Sequence, residues 1–306
     1  MFWKKKNKNN GEVPETDDGS AKLNSPDIKV IIKTDVGNVR TNNEDSASFF
    51  RIADKDIIRE KGYLLIVADG MGGHLAGEVA SKMAVDIIGE EYFKETNNSK
   101  TEKILTKAFS NSNKKIFELA STNEQYRGMG TTSTALAIIG QTIYYAHVGD
   151  SRAYLYKNGV LTRITEDHTL VQQLVNAGNI SAAEADTHPQ RNILTNAMGT
   201  KGDLRIDTGE CGALLEPGDR LLLCSDGLYD YLNDHEIATI LAYESMLDAA
   251  ESFIAEAKNR GGADNITVIL AEMENIARET FLKSTREVSL PKTTRDADLP
   301  ANTTNL

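Results

Sequence analysis

The order of elements along the chain predicts an α+β domain, a four-layer αββα sandwich in which two antiparallel β-sheets are flanked by helix pairs. Three observations support this. Two amphipathic helical stretches follow one another directly, near 76–91 and 102–120. A block of strand-like runs with two-residue connections comes next, and strands joined that tightly must be antiparallel. A second helical pair then precedes a closing strand. Strict alternation of strand and helix, which would signal a parallel sheet, is missing.

Each element has its own signal. Apolar runs at 28–34, 46–51 and 63–68 read as strands, the last apolar enough to be buried on both faces. The stretch 76–91 places Val79, Met83, Ile87 and Ile88 on one side, and 102–120 does the same with Ile104, Leu105, Ala108, Ile116 and Leu119. After Gly128-Met129-Gly130, strand 132–139 leads through Gly140-Gln141 into 142–148, then 152–156, Asn158-Gly159 and 160–164. Asn-Gly between alternating apolar runs is a strong hairpin signal. Residues 167–200 form a polar, partly helical insertion without long apolar runs. Strand 220–225 follows the Pro217-Gly218-Asp219 turn, helices 234–242 and 246–258 make the second pair, and 266–272 closes the domain. The polar ends 1–27 and 284–306 show no periodicity and read as disordered tails, leaving a domain at 28–275.

Bulk properties exclude several functions. A net charge of -11, from 45 acidic against 34 basic residues, disfavours gripping nucleic acid through its phosphates. Cys211 and Cys224 match no zinc-ligand spacing and suit a reducing compartment. No stretch approaches the roughly 18 apolar residues of a membrane span. No apolar signal region follows the basic start MFWKKKNKNN. Phe2 and Trp3 beside three lysines read as part of a solvated tail, because one short basic cluster anchors weakly. The expectation is a cytoplasmic monomer.

The chemistry lies in aspartates at the ends of apolar runs: Asp69 in LLIVADGMGG, Asp150 in IYYAHVGDSR, Asp226 in LLLCSDG and Asp264 in GGADNITVIL, with the pair Glu44-Asp45 in RTNNED. A single Asp-Gly is an ordinary turn. Several carboxylates at the mouths of buried strands are another matter, since burial without counter-charge costs many kcal/mol or forces protonation. Cations resolve that conflict, and oxygen-only clusters select hard ions such as Mg²⁺ or Mn²⁺. The strand, glycines and helix around Asp69 do not make a dinucleotide fingerprint, because Leu75 stands where its third glycine belongs. No Gly-Lys-Ser/Thr of a phosphate-binding loop occurs either. The glycines beside Asp69 instead let the backbone pass close to an ion, with the Gly70 carbonyl available as a ligand.

Taken in order, these motifs resemble those of a bacterial member of the metal-dependent protein phosphatase family, the type 2C serine/threonine phosphatases. The likeness covers about 33–271 and rests on Arg40-Thr41-Asn42-Asn43-Glu44-Asp45, Val67-Ala68-Asp69-Gly70-Met71-Gly72-Gly73, Gly130-Thr131-Thr132, Gly149-Asp150-Ser151-Arg152, Asp167-His168, Ser225-Asp226-Gly227 and Asp264-Asn265. The family's β-sandwich with outer helix pairs agrees with the reading above. The resemblance implies that Asp69 bridges two Mn²⁺ or Mg²⁺ ions, with the Gly70 carbonyl on one. Asp226 and Asp264 complete the other, and Glu44 or Asp45 acts directly or through water. Asp150 matches the position that holds a third, weaker ion jointly with Asp226. Arg40 matches the residue that grips the substrate phosphate, and 167–198 matches a flap beside the site.

The implied activity is hydrolysis of phosphoserine and phosphothreonine in phosphoproteins by a metal-bridging hydroxide, reversing a Ser/Thr kinase. The chain departs from many eukaryotic relatives in having Met71 where they place a histidine suggested as general acid. His74 is read as a surface residue at the helix entry, with a metal-bound water as the alternative proton donor. His147 and His168 are read as structural. Two competing readings are a catalytically dead binding relative, against which the complete residue set counts, and a metallonuclease, against which the acidity counts.

Overall fold

Strands apolar on both faces need protein on both sides, and the chain meets that need with four layers. The computed structural model describes residues 27–72, 75–95 and 99–274. The tail regions 1–26 and 275–306, and His74, lie outside the described residues. In chain order the elements are β1 (Ile28–Asp35), β2 (Asp45–Phe50), α1 (Lys55–Lys61), β3 (Tyr63–Met71), α2 (Leu75–Lys94), α3 (Thr101–Thr122), β4 (Gly130–Thr131) and β5 (Ser133–Ile139). There follow β6 (Thr142–Val148), β7 (Arg152–Lys157), β8 (Val160–Arg163), α4 (Leu170–Asn176), α5 (Ala182–Asp186) and β9 (Asp207–Leu214). The described chain ends with β10 (Arg220–Cys224), α6 (Asp226–Tyr229), α7 (Asp234–Leu241), α8 (Met246–Asn259) and β11 (Ile266–Met273).

One sheet runs β1-β11-β10-β7-β8; the other runs β2-β3-β5-β6-β9, with β4 paired to β3. Every pairing is antiparallel. Three apolar layers hold the sandwich. Between the sheets lie Tyr63, Leu65 and Val67 of β3 against Leu221 and Leu223 of β10 and Ile269 of β11. Leu64, Ile66 and Ala68, on the opposite face of β3, meet α2 and α3. Leu222, Val268 and Leu270 meet α7 and α8. The twofold alternation of side chains along a strand thus feeds two cores from one sequence run.

Some elements differ from the sequence expectation, each for a physical reason. The most buried line of α2 consists of Ala76, Ala80, Ala84, Val85 and Ile88, while Val79 and Met83 flank it. Small side chains bring the helix close to the sheet, so the larger residues fall to the sides. β9 has no counterpart among the expected strands: it reads DTGECGAL, holds two glycines, alternates between half-buried and exposed, and pairs with β6 through an irregular register near Thr142. α1 and α6 are seven and four residues long, too short for a helical period to register. Among the described residues, no helix is long and apolar enough to cross a membrane.

Candidate active site

The register brings the aspartates to one end of the sandwich. Asp45 opens β2 directly opposite Asp69 near the end of β3. In the other sheet, Cys224 at the end of β10 pairs with Arg152 and Val268, so the residues just outside, Asp150, Asp226 and Asp264, gather at the same edge. Like charges facing each other across strands are destabilising, so the juxtaposition of Asp45 and Asp69 needs a purpose outside folding.

Hydroxyls and amides fix the turns that present these carboxylates. The Asp69 carbonyl accepts the Thr132 N–H at 2.9 Å and the Thr131 hydroxyl at 2.8 Å, while the Asp69 N–H donates to Thr132 Oγ1 at 2.9 Å. Ser225 links the two sheets: its Oγ donates to Asp45 Oδ2 at 2.7 Å and accepts the Thr267 N–H at 3.0 Å. Asp226 is the first residue of α6, and Gly227 follows because a side chain there would collide with the Asn265 carbonyl. The buried Asn265 secures the loop that holds Arg40. Its Oδ1 accepts the Glu44 N–H at 2.8 Å, and its Nδ2 donates to the Val36 and Asn42 carbonyls at 3.0 and 2.9 Å.

Electrostatically the cluster is uncompensated. Burial and the neighbouring Asp45, Asp226, Asp150 and Asp264 push Asp69 well above the usual carboxylate range. Burial and Asp150, Asp230, Asp264 and Asp45 do the same to Asp226. Burial raises Asp150 to about 7, with Asp167 adding to the shift and Arg152 opposing it. Burial raises Asp45 to about 6 despite hydrogen bonds from Thr267 and Ser225. Asp45 Oδ1 and Asp226 Oδ1 are shut off from solvent with no hydrogen-bond partner. Such orphaned oxygens are acceptors without a donor, the condition a hard cation would relieve. The Glu44 carboxylate turns to Gly77 in the first turn of α2, and its charge still adds to the field at Asp45. Gly70 donates its N–H to the Glu44 carbonyl at 3.1 Å.

The rim is arranged differently. Arg40 Nη2 donates to Asp264 Oδ2 at 2.6 Å, so the expected phosphate-gripping residue rests on an expected cation ligand. Among the described residues, no three His, Cys, Asp or Glu side chains are gathered tightly enough to close around an ion as they stand. The carboxylates share one region and one electrostatic field but form an open set. Behind Asp150 lie groups to which sequence reasoning gave no role in the site. Arg152 stacks on the Tyr229 ring at 3.5 Å from its centroid and pairs with Asp167 at 2.7 Å, and the Tyr229 hydroxyl donates to the Asp150 carbonyl at 3.0 Å. The signal available was the dense run of polar residues around Gly149–Arg152 and Asp167-His168.

Comparison with known proteins gives this geometry a context. The family model described as protein phosphatase 2C matches residues 41–271. The serine/threonine phosphatase Stp of Listeria innocua is 41% identical over 244 residues, covering 78% of this chain and 94% of that protein. The solved serine/threonine phosphatase of S. agalactiae superposes with a TM-score of 0.73 at 40% identity, over 81% of this chain and 100% of the other. The catalytic domain of the phosphatase PstP, solved in complex with two manganese ions, matches with a TM-score of 0.67 at 34% identity, over 81% and 99% of the two chains. The match spans both sheets and every carboxylate of the cluster: the chain belongs to the protein phosphatase 2C family.

Proposed function

We propose that this chain removes phosphate from phosphoserine and phosphothreonine in phosphoproteins, and that it requires Mn²⁺ or Mg²⁺, two core ions and a third at Asp150. The observation that supports this best is the set of buried, mutually repelling carboxylates with orphaned oxygens on Asp45 and Asp226. Their donor chemistry, oxygen only, fits a hard divalent ion. Asp69, Asp226 and Asp264, with Asp45 or Glu44 and the Gly70 carbonyl, would hold the core ions, and Asp150 with Asp226 would hold the third. Bound ions would supply the charge that lets these groups ionise, and would acidify and orient a water for in-line attack on phosphorus.

The chain's own residues do the rest. Arg40 is half exposed and can swing from Asp264 to a phosphate group, which its planar fork binds bidentately. Leaving Asp264 costs little, because exposed ion pairs contribute about 0–1 kcal/mol. The insertion 167–200 flanks the entrance through Arg191, which donates to Asp230 Oδ2 at 3.3 Å, just beyond α6. A cytoplasmic monomer opposing a Ser/Thr kinase is the cellular setting we assign to it.

The test is turnover of p-nitrophenyl phosphate and of phosphothreonine peptides by the full chain with Mn²⁺, with EDTA, and with Asp226→Asn. Activity that requires Mn²⁺ and vanishes in the variant is expected. Full turnover in EDTA would sink the metal mechanism, and Mn²⁺ binding without turnover on any phosphopeptide would favour a non-catalytic binding role.

A further inference from the structure

His168, the second residue of the 167–200 insertion, is buried beside the cluster and uses both ring nitrogens. Nδ1 accepts the Gly149 N–H at 3.2 Å and the Asn196 side-chain amide at 2.9 Å. The orientation of Asn196 is secured because the same Nδ2 also donates to the Arg205 carbonyl at 2.8 Å. With Nδ1 accepting twice, the ring proton belongs on Nε2, which donates to Asp207 Oδ2 at 3.1 Å. The backbone joins in. The His168 N–H donates to the Gly149 carbonyl at 2.6 Å, and the His168 carbonyl accepts the Thr195 N–H at 2.8 Å and its hydroxyl at 3.0 Å.

Gly149 is thus held on both its N–H and its carbonyl by one residue, and it immediately precedes Asp150. Its φ of +107° suits glycine, and the Thr132 side chain, 2.6 Å from where a Cβ would sit, leaves no room for another residue. On the far side, the Tyr229 hydroxyl holds the Asp150 carbonyl and Thr134 Oγ1 holds the Ser151 carbonyl at 2.8 Å. The backbone that carries Asp150 is therefore held by clamps before and after it. The clamp before it is the same histidine that closes the two ends of the insertion on each other, through Thr195 and Asn196.

We propose that His168 is a positioning residue: acting through the Gly149 backbone, it aims the Asp150 carboxylate at its cation, and it couples that aim to closure of the base of the insertion. This rests on the assignment of Asp150 as a cation-holding group. It adds a residue that touches neither substrate nor ion, and a physical link between the insertion and the cation site.

Two isosteric substitutions separate this role from general structural support. In His168→Asn, Oδ1 stands where Nδ1 stood and keeps the acceptor for Gly149, but the side chain no longer reaches Asp207. In His168→Gln, the terminal amide reaches toward Asp207 and leaves the Gly149 N–H without its partner. The experiment is calorimetric Mn²⁺ titration of the full-length protein and both variants, with Asp150→Asn identifying the Mn²⁺ class that depends on Asp150. Amide hydrogen exchange at Gly149 and Tm are measured alongside.

His168→Gln is expected to weaken that class by about 10–100-fold, the range typical of lost partners behind metal ligands, and to speed Gly149 exchange. His168→Asn is expected to hold both within about threefold of wild type, the residual loss of the Asp207 bond being indirect. Equal Mn²⁺ binding in all three proteins, or equal losses in both variants that track Tm, would overturn the proposal. If His168→Gln does not fold, wild-type exchange decides: Mn²⁺ must slow the Gly149 amide, and an unchanged rate overturns the proposal. Wild type that binds no Mn²⁺ at all would instead remove the proposed function itself.

Discussion

Asp264 and Asp150 stand on two sides of one cluster and are held in opposite ways. Asp264 lies on the rim, with 37% of its side chain exposed, beside an Arg40 that is itself 50% exposed. Asp150 lies at the floor, buried, with its flanking backbone pinned by His168, Tyr229 and Thr134. The rim carboxylate has a guanidinium counter-charge that can leave. The floor carboxylate has a pinned backbone and only a partial counter-charge, for the nearby Arg152 is paired with Asp167 and stacked on the Tyr229 ring. The difference teaches that the two parts meet different demands. A rim must exchange partners when substrate arrives, whereas a cation site gains from donors that are already oriented.

The largest effect should come from the carboxylates between rim and floor. Asp69→Asn or Asp226→Asn removes a charged donor from the centre of the cluster. Cation stabilisation of the transition state is worth several kcal/mol, so kcat/KM with Mn²⁺ should fall on the order of a thousandfold. Steady-state kinetics at saturating Mn²⁺ measures it, and a loss under tenfold in Asp226→Asn would break the idea of one shared site. Arg40 should matter less and differently. With Arg40 in its proposed role, Arg40→Ala would remove charge-assisted hydrogen bonds to phosphate and should cost about 10–100-fold in kcat/KM. Arg40→Lys should recover part of that, as a point charge lacking the bidentate fork. Because the Arg40–Asp264 pair is exposed, neither variant should change stability by more than about 1 kcal/mol. A large drop in Tm would show that the rim is structural and erase the contrast with the floor.

Much of this organisation was legible in the sequence, for reasons that also mark where legibility stops. β3, β10 and β11 were readable because each feeds two apolar layers, so nearly every residue is hydrophobic and the aspartate at one end of the run stands out. β9 was not, since it keeps one face wet and contains Gly209 and Gly212. The carboxylates were visible as residue types, but their relation to one another was not. Asp45 opposes Asp69 only through strand register, and Arg40 meets Asp264 across 224 residues of sequence. Nor does any local pattern say that Asn265 carries the 36–44 loop on its side chain. That role predicts a stability effect in place of a chemical one. Asn265→Ala would leave the Glu44 N–H and two carbonyls without their partner and should lower unfolding free energy by about 1–3 kcal/mol, measured in urea at saturating Mn²⁺. An unchanged midpoint would mean the loop is held by other contacts.

The smallest effect tests the electrostatics of the floor directly. In the metal-free protein, burial raises Asp45 to about 6 and Asp150 to about 7 from the ordinary carboxylate value of 3.8. A carboxyl raised in the folded state binds more protons folded than unfolded, so stability must fall as pH rises through the interval between the two values. For these groups that interval runs from about 4 to 7. EDTA-treated protein should therefore lose Tm, by a few degrees, between about pH 4 and 7. Mn²⁺ reverses the sign of the local field and binds the ionised form, so the rise in Tm on adding it should grow across the same interval. Asp150→Asn removes one of the buried ionisable groups, with Asp45, Asp69 and Asp226 remaining, and should make the metal-free profile shallower and narrow the Mn²⁺ increment. Arg40→Ala changes only the rim and should leave the slope in place. If the metal-free Tm instead rises from about pH 4 to 7, the floor is compensated by charges already within the fold, and the distinction between a mobile rim and a cation-dependent floor is lost.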